Sequence, residues 1–523
     1  MCSSKKIVEE TSTRSYESAV KDLNTLQSNA ATLKQLRDAG AALNLLNLPE
    51  TRSFWEKMGY KTSDLNRLNV IHVAGTKGKG STCAFIDSIF QNTDFVNSNG
   101  TRMKPKVGLY TSPHLIEVRE RIRINGKPIE KDLFQRYFYE TWDLLKRPHP
   151  PLNKVMEDSP DMPMYFKYLT LMAFHTFIRE EVDVAILEVG LGGEYDSTNM
   201  VEEPIVCGIT SLGLDHQANL GNTVEEIAVH KAGISKKNVP LYSVPQPGDA
   251  GKAIANVCNQ RETPLTFVNP LDQNVVTNSG LKFELGGKHH LSNAALAIQL
   301  CKTWFESEKT PLSPENGVDT ETNPGSIPKW AIKGLSKAKW PGRSHVIEPS
   351  TGSNIRWFID GAHTVESIVA CGEWFVSANS NKQNKGAPTV VLFNPAHGRS
   401  ANIMFESLIS DVQKTTDDIK IVLCPNISAR ADSKNFTVFY DEKLELQHSL
   451  AKNISEKAAI SENDIHIFPT INDAVDYIRK EENGSNPENP TNVIVAGSLH
   501  LVGGVLDALG TSASNFTTCA TDN

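Results

Sequence analysis

The feature that most constrains the fold is the stretch of residues 69–90, NVIHVAGTKGKGSTCAFIDSIF. Its first apolar residues are typical of a short, buried parallel strand. A glycine-rich turn follows, Gly75-Thr76-Lys77-Gly78-Lys79-Gly80-Ser81. Apolar residues then recur at helical spacing from Cys83 to Phe90. A strand, a glycine loop and a helix in this order predict an α/β unit, which is the context that a phosphate-binding loop needs.

The loop has the chemistry for binding phosphate. Its glycines let backbone N–H groups face an anion, the helix N-terminus adds a partial positive charge, and Lys79 adds a full one. The strict pattern G-x-x-x-x-G-K-[ST] is not met, because Val73 stands at the first glycine position and Gly80 follows Lys79. From these residues alone, a phosphate loop and a glycine-rich surface turn with two solvated lysines both stay open.

Size and composition exclude several classes of protein. With 523 residues the chain can hold two or three domains, and a net charge of −8 argues against nucleic acid as a partner. No apolar run reaches the roughly 18–20 residues of a membrane span. Residues 1–15 resemble neither a secretory signal nor a typical mitochondrial leader. The eight cysteines lack metal-ligand spacing, which favours a reducing compartment.

Polar side chains follow the short apolar runs of the first half. The runs are residues 70–73, 107–110, 184–187 and 205–210. Ser112, Glu188 and Asp215-His216 stand just after three of them, and ligands of open parallel sheets bind outside the carboxyl ends of the strands. A serine, a glutamate and a histidine beside a triphosphate would suit a hard cation, although Mg²⁺ prefers oxygen ligands. The structural alternatives are a turn serine, a capping glutamate and a buried histidine.

Three other stretches are informative. Residues 15–37 have the periodicity of a packing helix. Residues 306–328 are polar and rich in proline, which predicts a linker or a disordered insertion, and the tail from residue 509 onward is also predicted to be disordered. The three arginines within residues 119–123 are either a solvated strand face or a local positive charge for anionic ligands.

The second half repeats the α/β pattern, with Asp360-Gly361-Ala362-His363 at the end of a strand. We therefore predict an α/β protein of two domains. Residues 1–325 would form an N-terminal domain with a parallel-rich sheet, a P-loop-type ATPase domain if the glycine loop binds phosphate. Residues 326–523 would form a smaller C-terminal, doubly wound (Rossmann-like) domain.

Six motifs stand in order across residues 15–508. They are GTKGKGS, TSPHL followed by RER, EVGLGG through DSTN, DH with LGNT and KAGI, WPGR with DGAH, and GSLHLVG. In this order they resemble the motifs of the Mur ligase superfamily, in particular of folylpolyglutamate synthases. The string LNTLQSN near the N-terminus resembles the opening of the eukaryotic members.

The resemblance implies a role for each matching residue. The loop of Gly75, Thr76, Lys77, Gly78, Lys79, Gly80 and Ser81 would bind the ATP phosphates, with Lys79 on the transferred group. Ser112, Glu188 and His216 would ligate Mg²⁺. Lys231 would be carbamylated and act as a further metal ligand, the alternative being an ordinary helix-surface lysine. Asn293, Arg343 and Asp360 would contact ATP, and Arg121 and His363 would be active-site residues.

The implied activity is ATP-dependent addition of L-glutamate, in γ-linkage, to tetrahydrofolate and its polyglutamates through an acyl phosphate, with release of ADP and phosphate. The partners would then be small molecules: ATP, L-glutamate and folates. The expected cations are Mg²⁺ and a monovalent cation. We expect a monomer without nucleic acid and without a transmembrane segment. The expected compartment is the cytoplasm, with a mitochondrial share as a second expectation.

The sequence departs from the family pattern at two places, and two alternatives stay open because the residues do not decide the substrate. His290 replaces a glutamine in His289-His290-Leu291-Ser292-Asn293-Ala294, and residues 394–400, NPAHGRS, lack an aspartate common in that segment. The first alternative is a dihydrofolate synthase, which adds the first glutamate to dihydropteroate. The second, favoured by the altered segment alone, is a nucleotide-binding regulatory protein that has lost its ligase chemistry.

Overall fold

The computed structural model describes residues 14–27, 41–148, 160–287, 289–318, 326–350, 353–379, 386–395, 401–427, 444–457, 460–482 and 490–519. The strands of this part of the chain are β1 (Ile71–Ala74), β2 (Phe95–Asn97), β3 (Arg102–Met103), β4 (Val107–Tyr110), β5 (Ile122–Ile124), β6 (Lys127–Pro128), β7 (Val184–Glu188), β8 (Val206–Ile209), β9 (Leu241–Ser243), β10 (Leu265–Phe267), β11 (Leu312–Pro314), β12 (His345–Ile347), β13 (Ile355–Ile359), β14 (Thr389–Phe393), β15 (Ile419–Leu423), β16 (Ile465–Ile467) and β17 (Thr491–Ala496).

Helices alternate with these strands. They are α1 (Tyr16–Thr25), α2 (Ala41–Lys57), α3 (Lys79–Asn92), α4 (Lys131–Lys146), α5 (Tyr165–Arg179), α6 (Gln217–Leu220), α7 (Val224–Ala232), α8 (Ala250–Gln260), α9 (Gln273–Asn278), α10 (His290–Phe305), α11 (Lys329–Lys337), α12 (Val365–Ala378), α13 (Ala401–Val412), α14 (Glu445–Lys457), α15 (Ile471–Glu482) and α16 (Leu499–Ala508). The alternation is what parallel sheets require, because each crossover needs a helix.

The first large sheet has eight strands in the order β10-β9-β8-β1-β7-β4-β5-β6. The six from β10 to β4 are parallel, and β5 and β6 are antiparallel additions. Every residue of β1, β4, β7 and β8 is buried. Helices cover both faces of this sheet, and strands buried on both faces are continuously apolar, which explains the four apolar runs.

Each face of the first sheet has its own core. One core joins the sheet to α3, α10 and α11, and the other joins it to α2, α4 and α5. Trp304 is fully buried in the first core and donates its indole N–H to the Asn69 carbonyl at 2.8 Å. This bond connects α10 to the residues just before β1, so the helix holds the strand that leads into the glycine loop.

The second large sheet has six strands in the order β12-β13-β17-β14-β15-β16. All pairs are parallel except β12 with β13. α12 and α13 pack on one face, and α15 and α16 pack on the other. This is the doubly wound α/β arrangement predicted for the second half, and the predicted fold class is confirmed.

The prediction of a disordered tail is wrong, and the predicted linker at residues 306–328 is partly ordered. The tail is ordered over residues 510–519, where Ala513 and Phe516 are 2% exposed within the core beneath α16. Within 306–328, β11 pairs with β2, and Leu312 is buried in the first core. The polar composition of the two segments gave no sign of this order, because a few apolar side chains suffice to anchor a short segment. Residues 319–325 lie outside the described part, as do residues 28–37 of the helical stretch and 396–400 of the altered segment.

The helix α11 belongs to the first core, since Ala331 and Leu335 pack there against α3. Ser88 Oγ donates to the Gly334 carbonyl at 2.7 Å, and a Cβ added to Gly334 would meet the α3 backbone. The predicted boundary between residues 325 and 326 therefore lies just before a helix that packs on the first sheet, and it stays a prediction. No helix among the described residues is long and apolar enough to span a bilayer.

Candidate active site

A cavity of about 1840 Å³ opens at the carboxyl edge of the first sheet and faces loops of the second. Most of the predicted site residues line it: Thr76, Lys77, Gly78, Lys79, Gly80, Ser81, Ser112, Arg121, Glu188, His216, Asn293, Arg343, Asp360 and His363. Gly75 and Lys231 lie behind this lining. Both halves of the chain thus contribute to one site, as parallel sheets with ligand sites at their carboxyl edges allow.

Backbone geometry shapes the glycine loop. Gly75 has φ 147° and Gly78 has φ 91°, both in the region that favours glycine. A Cβ on Gly75 would lie 1.8 Å from Thr210 Oγ1. The N–H groups of Thr76 and Lys77 donate to the Ser211 carbonyl at 3.0 Å, which ties the loop to the end of β8.

The helix α3 begins at Lys79, so its N-terminus opens into the cavity. The first N–H groups of a helix have no intrahelical acceptor, and they carry the positive end of the helix dipole. Lys79 Nζ donates to the Thr76 carbonyl at 3.3 Å and stays at the cavity surface. Backbone donors, a dipole and a lysine together suit an anion such as a phosphate group.

Glu188 ends β7 and is 5% exposed. Its Oε2 accepts the Ser112 N–H at 3.0 Å, which places the ends of β4 and β7 side by side. Burial raises the pKa of Glu188, while Lys79, Arg343 and Arg121 lower it. The carboxylate therefore lies within the field of cations from both halves of the chain.

His216 precedes the short helix α6 with φ 51°. Its side chain is 54% exposed, and Nε2 is 3.8 Å from Asp215 Oδ2. Burial lowers the pKa of His216; Asp215 raises it, and Lys231, Lys79 and His363 lower it. A mostly neutral imidazole in a cationic site can accept a proton or bind a metal.

Lys231, on α7, is 4% exposed and therefore is not a helix-surface lysine. Its Nζ donates to the Gly75 carbonyl at 2.8 Å, directly behind the loop. Burial, and then the neighbouring Lys79, lower the pKa of Lys231 to about 7, although Asp215 and Asp196 raise it. A large fraction of this amine is neutral near pH 7, unlike an ordinary lysine.

Three residues of the second half face the loop. Asp360 Oδ2 accepts the Ser344 N–H at 2.7 Å. The Arg343 guanidinium packs on Gly361, where an added Cβ would lie 2.3 Å from Nη1. His363 Nδ1 lies 2.8 Å from the Gly361 carbonyl, so a neutral ring that donates this bond presents Nε2 as an acceptor.

Asn293 lies against Gly78, since a Cβ on that glycine would come 2.4 Å from Asn293 Oδ1. Asn293 Nδ2 is buried and has no acceptor among the described residues. A buried amide donor without a partner is costly, typically by about 1–3 kcal/mol. An acceptor from a bound ligand would satisfy it, which fits the predicted nucleotide contact.

The three arginines of residues 119–123 are buried, which contradicts the solvated-face alternative. Arg121 is 9% exposed, and its Nε lies 3.0 Å from His114 Nδ1. Its guanidinium lies over the Tyr165 ring at 5.6 Å. Burial, then Arg121, lowers the pKa of His114 well below its ordinary range. Arg121, which lines the cavity, therefore has a neutral histidine as its hydrogen-bond partner.

Sequence reasoning missed several cavity residues. Glu366 at the start of α12 pairs with Lys77 Nζ at 3.0 Å and so connects the two halves of the cleft. Lys167 on α5 pairs with Glu50 on α2, and both line the same cavity. Trp340 covers Gly80; it belongs to the motif WPGR but was given no role of its own in the sequence analysis. Only the tryptophan had a signal in the sequence, because the two ion pairs join residues far apart in the chain.

The predicted metal residues fit a cation only in part. Within the described residues no three His, Cys, Asp or Glu side chains are grouped closely enough to hold a metal ion. Ser112 and Glu188 offer oxygen and His216 offers nitrogen, which is fewer than the six ligands that Mg²⁺ prefers. The set suits Mg²⁺ only if waters and phosphate oxygens supply the remainder, as in nucleotide sites generally.

No protein-family profile matches the chain. Two curated proteins are similar along nearly its whole length. The putative folylpolyglutamate synthase of Caenorhabditis elegans is 38% identical over 504 residues, which cover 95% of this chain and 92% of that protein. The folylpolyglutamate synthase of Saccharomyces cerevisiae (strain ATCC 204508 / S288c) is 40% identical over 505 residues, which cover 94% of this chain and 86% of that protein.

Solved structures share the fold. The apo form of L. casei FPGS superposes with a TM-score of 0.66 at 22% identity, covering 95% of this chain and 99% of that chain. The Mycobacterium tuberculosis folylpolyglutamate synthase complexed with ADP and AMPPCP gives a TM-score of 0.67 at 21% identity. The match covers 92% of this chain and 98% of that chain. E. coli FolC in complex with DHPP and ADP gives a TM-score of 0.64 at 22% identity. The match covers 95% of this chain and 98% of that chain.

Proposed function

Because the chain belongs to the folylpolyglutamate synthase family, we propose that the cavity between its two sheets is where this ATP-dependent ligase adds L-glutamate to folates. The observation that carries the assignment is the glycine loop at the N-terminus of α3, which opens into a cavity lined by cations of both halves. The substrates are anionic while the whole chain carries −8. Local cations must therefore provide the attraction.

The chemistry follows from the weakness of a carboxylate as an electrophile. ATP converts the terminal γ-carboxylate of the folate to an acyl phosphate, the glutamate amine attacks the acyl carbon, and phosphate leaves with ADP as the other product. Phosphoryl transfer depends on positioning and on neutralising charge. We assign Lys79 to the transferred phosphoryl group, and Arg121 to a substrate carboxylate near the reacting atoms.

The nucleotide contacts of the second half are assigned to Arg343 and Asp360, with Asn293 from α10. The unpartnered Nδ2 of Asn293 supports its assignment. His363 lies beside Asp360 in the chain, and its Nε2 can take the proton released as the amine attacks. Water must be kept out while the acyl phosphate exists, and a cleft between two packed units can do this by closing.

Ser112, Glu188 and His216 would hold Mg²⁺ together with phosphate oxygens. When bound, Mg²⁺ supplies positive charge to the phosphates and helps to orient them. Carbamylation of Lys231 would replace a cation by a carboxylate-like group, and the pKa of about 7 supports this because only a neutral amine reacts with CO₂. A monovalent cation, a monomeric state and a cytoplasmic location with a mitochondrial share remain our expectations. In the described part of the chain six cysteines are buried thiols, which is consistent with a reducing compartment.

One experiment tests the function. The protein is incubated with ATP, Mg²⁺, L-glutamate and tetrahydrofolate, and the folate products are resolved by mass spectrometry. A ladder of products spaced by one glutamyl unit is expected. A parallel reaction with dihydropteroate detects dihydrofolate synthase activity, and binding of ATP without any ladder would indicate the regulatory alternative.

A further inference from the structure

Residues 512–519, which follow α16, form a segment that lies between the two halves of the molecule, here called the strap. Ala513 and Phe516 anchor it in the core of the second sheet, each 2% exposed. The polar groups between and after these anchors point the other way, toward elements of the first half. The strap is thus held on two sides.

Its first contacts are with the buried arginines. Arg119 Nη2 donates to Ser514 Oγ at 2.8 Å, and Arg123 Nη1 donates to the Phe516 carbonyl. Arg119 is 2% exposed and Arg123 is 3% exposed, so neither guanidinium has free access to water. The strap therefore supplies acceptors to cations that the first half buries.

Thr518 makes the densest set of contacts. Its N–H donates to the Gly126 carbonyl at 3.0 Å, in the tight turn between β5 and β6. Its hydroxyl donates to the carboxylate of Asp87 on α3, and its carbonyl accepts the Lys339 N–H at 2.9 Å. Thr518 and Asp87 are fully buried, and burial raises the pKa of Asp87 to about 6. One residue of the strap thereby joins three separate parts of the chain.

Two sets of contacts connect the strap to the glycine loop, and both include Trp340. Lys339, held by Thr518, is followed by Trp340, whose indole Nε1 lies 3.0 Å from where a Cβ on Gly80 would be. Arg123, held by Phe516, stacks over the Trp340 ring at 5.1 Å. Trp340 is thus fixed on both sides by groups that the strap holds, and it covers the first turn of α3.

We propose that Thr518 is a positioning residue for the nucleotide: through Asp87 it holds the helix α3, and through Lys339 it holds Trp340 over the first turn of that helix, in the arrangement that binds ATP. The inference rests on the proposed function of the cavity. Thr518 does not line the cavity, so it acts only through its neighbours.

The test compares Thr518→Val with Thr517→Val. The first removes a buried hydroxyl that bonds to Asp87; the second removes a hydroxyl whose bond, to the Cys519 carbonyl, stays within the strap. With Thr518→Val we expect the KM for ATP to rise about fivefold, the equivalent of one buried hydrogen bond, with kcat within about twofold. Thr517→Val should match the wild type, and Thr518→Ser should restore its KM. An unchanged KM for ATP in folded Thr518→Val would overturn the proposal.

A second measurement needs no change at Thr518. Cys519 is partly exposed, whereas the other described cysteines are buried, and Asn92 Nδ2 lies 3.0 Å from its Sγ. In a Cys2→Ser background, AMPPCP should slow thiol labelling of Cys519 at least about threefold if ATP binding and the strap are coupled. Equal rates with saturating AMPPCP would overturn the inference. A wild type that neither binds AMPPCP nor forms the glutamyl ladder would instead refute the proposed function.

Discussion

At the scale of single residues, Lys231 shows how burial prepares a side chain for chemistry. An ammonium group that is 4% exposed beside another lysine loses hydration and gains repulsion. The folded protein therefore releases this proton near pH 7, whereas the unfolded chain keeps it to about pH 10.5. Between these values the unfolded state binds more protons, so this group makes stability rise with pH.

We predict that Lys231→Ala loses most activity and that formate or acetate restores part of it by occupying the vacated space. In wild type, activity after CO₂ removal should fall and should return with bicarbonate, faster above pH 7 because more of the amine is neutral. The intact mass of the active form should be larger by about 44 Da, the mass of the CO₂ that the neutral amine takes up. A fully active alanine variant would remove Lys231 from the site.

Lys79 is predicted to act on the transferred phosphoryl group. Lys79→Ala should lower kcat by about 10²–10³, the usual size for loss of one group that stabilises developing charge. The melting temperature should stay close to that of the wild type, since Lys79 Nζ makes one hydrogen bond at 3.3 Å. Lys127→Ala, at an exposed position of β6, is the control. Near wild-type kcat in Lys79→Ala would refute the role of the lysine.

The metal assignment predicts a shift in Mg²⁺ dependence. Glu188→Gln and His216→Ala should each raise the Mg²⁺ concentration at half-maximal activity, Glu188→Gln more because it removes a charge. His448→Ala, exposed on α14, should leave the midpoint unchanged. If both site variants keep the wild-type midpoint, their roles are structural. Removal of Mg²⁺ with a chelator should abolish turnover in all of these proteins.

At the scale of elements, the glycine loop depends on close approach as well as on backbone freedom. Gly78 and Gly100 both have positive φ, but a Cβ on Gly78 would meet Asn293, while one on Gly100 would meet nothing within 4 Å. Alanine variants of these two glycines therefore distinguish the effect of backbone strain from the effect of steric conflict at the site.

We predict that Gly100→Ala costs about 1–2 kcal/mol of stability, the cost of a left-handed residue, and leaves kinetics unchanged. Gly78→Ala should show that cost and also raise the KM for ATP more than about tenfold, because Asn293 must move. Thermal unfolding and initial rates check both. Equal kinetics in the two variants would show that Asn293 has no part in binding ATP.

Elements with strong local signals were predictable from the sequence. β4 has the predicted bounds, and the ends of β4, β7 and β8 follow from apolar runs that stop at polar residues. The burial of Arg119 and Arg123 was not predictable, because their acceptors Ser514 and Phe516 lie almost 400 residues away. The order of the strap was missed for the same reason: its anchors are two apolar residues in a polar tail. The placement of Lys231 behind the glycine loop was not predictable either, because it depends on tertiary packing.

At the scale of the whole molecule, the ion pair of Lys77 and Glu366 connects the two halves across the cleft. The side chains are 33% and 64% exposed, so the pair contributes only about 0–1 kcal/mol. Its position matters more than its strength, because the carboxylate lies where an anionic phosphate would compete for the same lysine.

We predict that Glu366→Gln lowers the KM for ATP by up to about fivefold, since Lys77 is released to the phosphates. The gain should shrink at high ionic strength, which screens exposed charges. Glu262→Gln removes a carboxylate that is 65% exposed and pairs with Lys237; it is the control and should not change the KM. A rise in KM for Glu366→Gln would mean that the pair helps to hold the cleft in its binding arrangement.

The chain crosses between the two sheets twice at nearly one place. Residues 338–340 leave the first sheet, and residues 518–519 return to it, joined to them by the bond from Lys339 to Thr518 and by the antiparallel bridge of Ala338 with Cys519. Two rigid bodies joined at a single point can rotate in three independent directions. Two neighbouring attachments leave essentially one, the rotation about the line between them. A closing motion of the cleft would then follow a single path and would bring the residues of the second sheet to the nucleotide in one relative orientation.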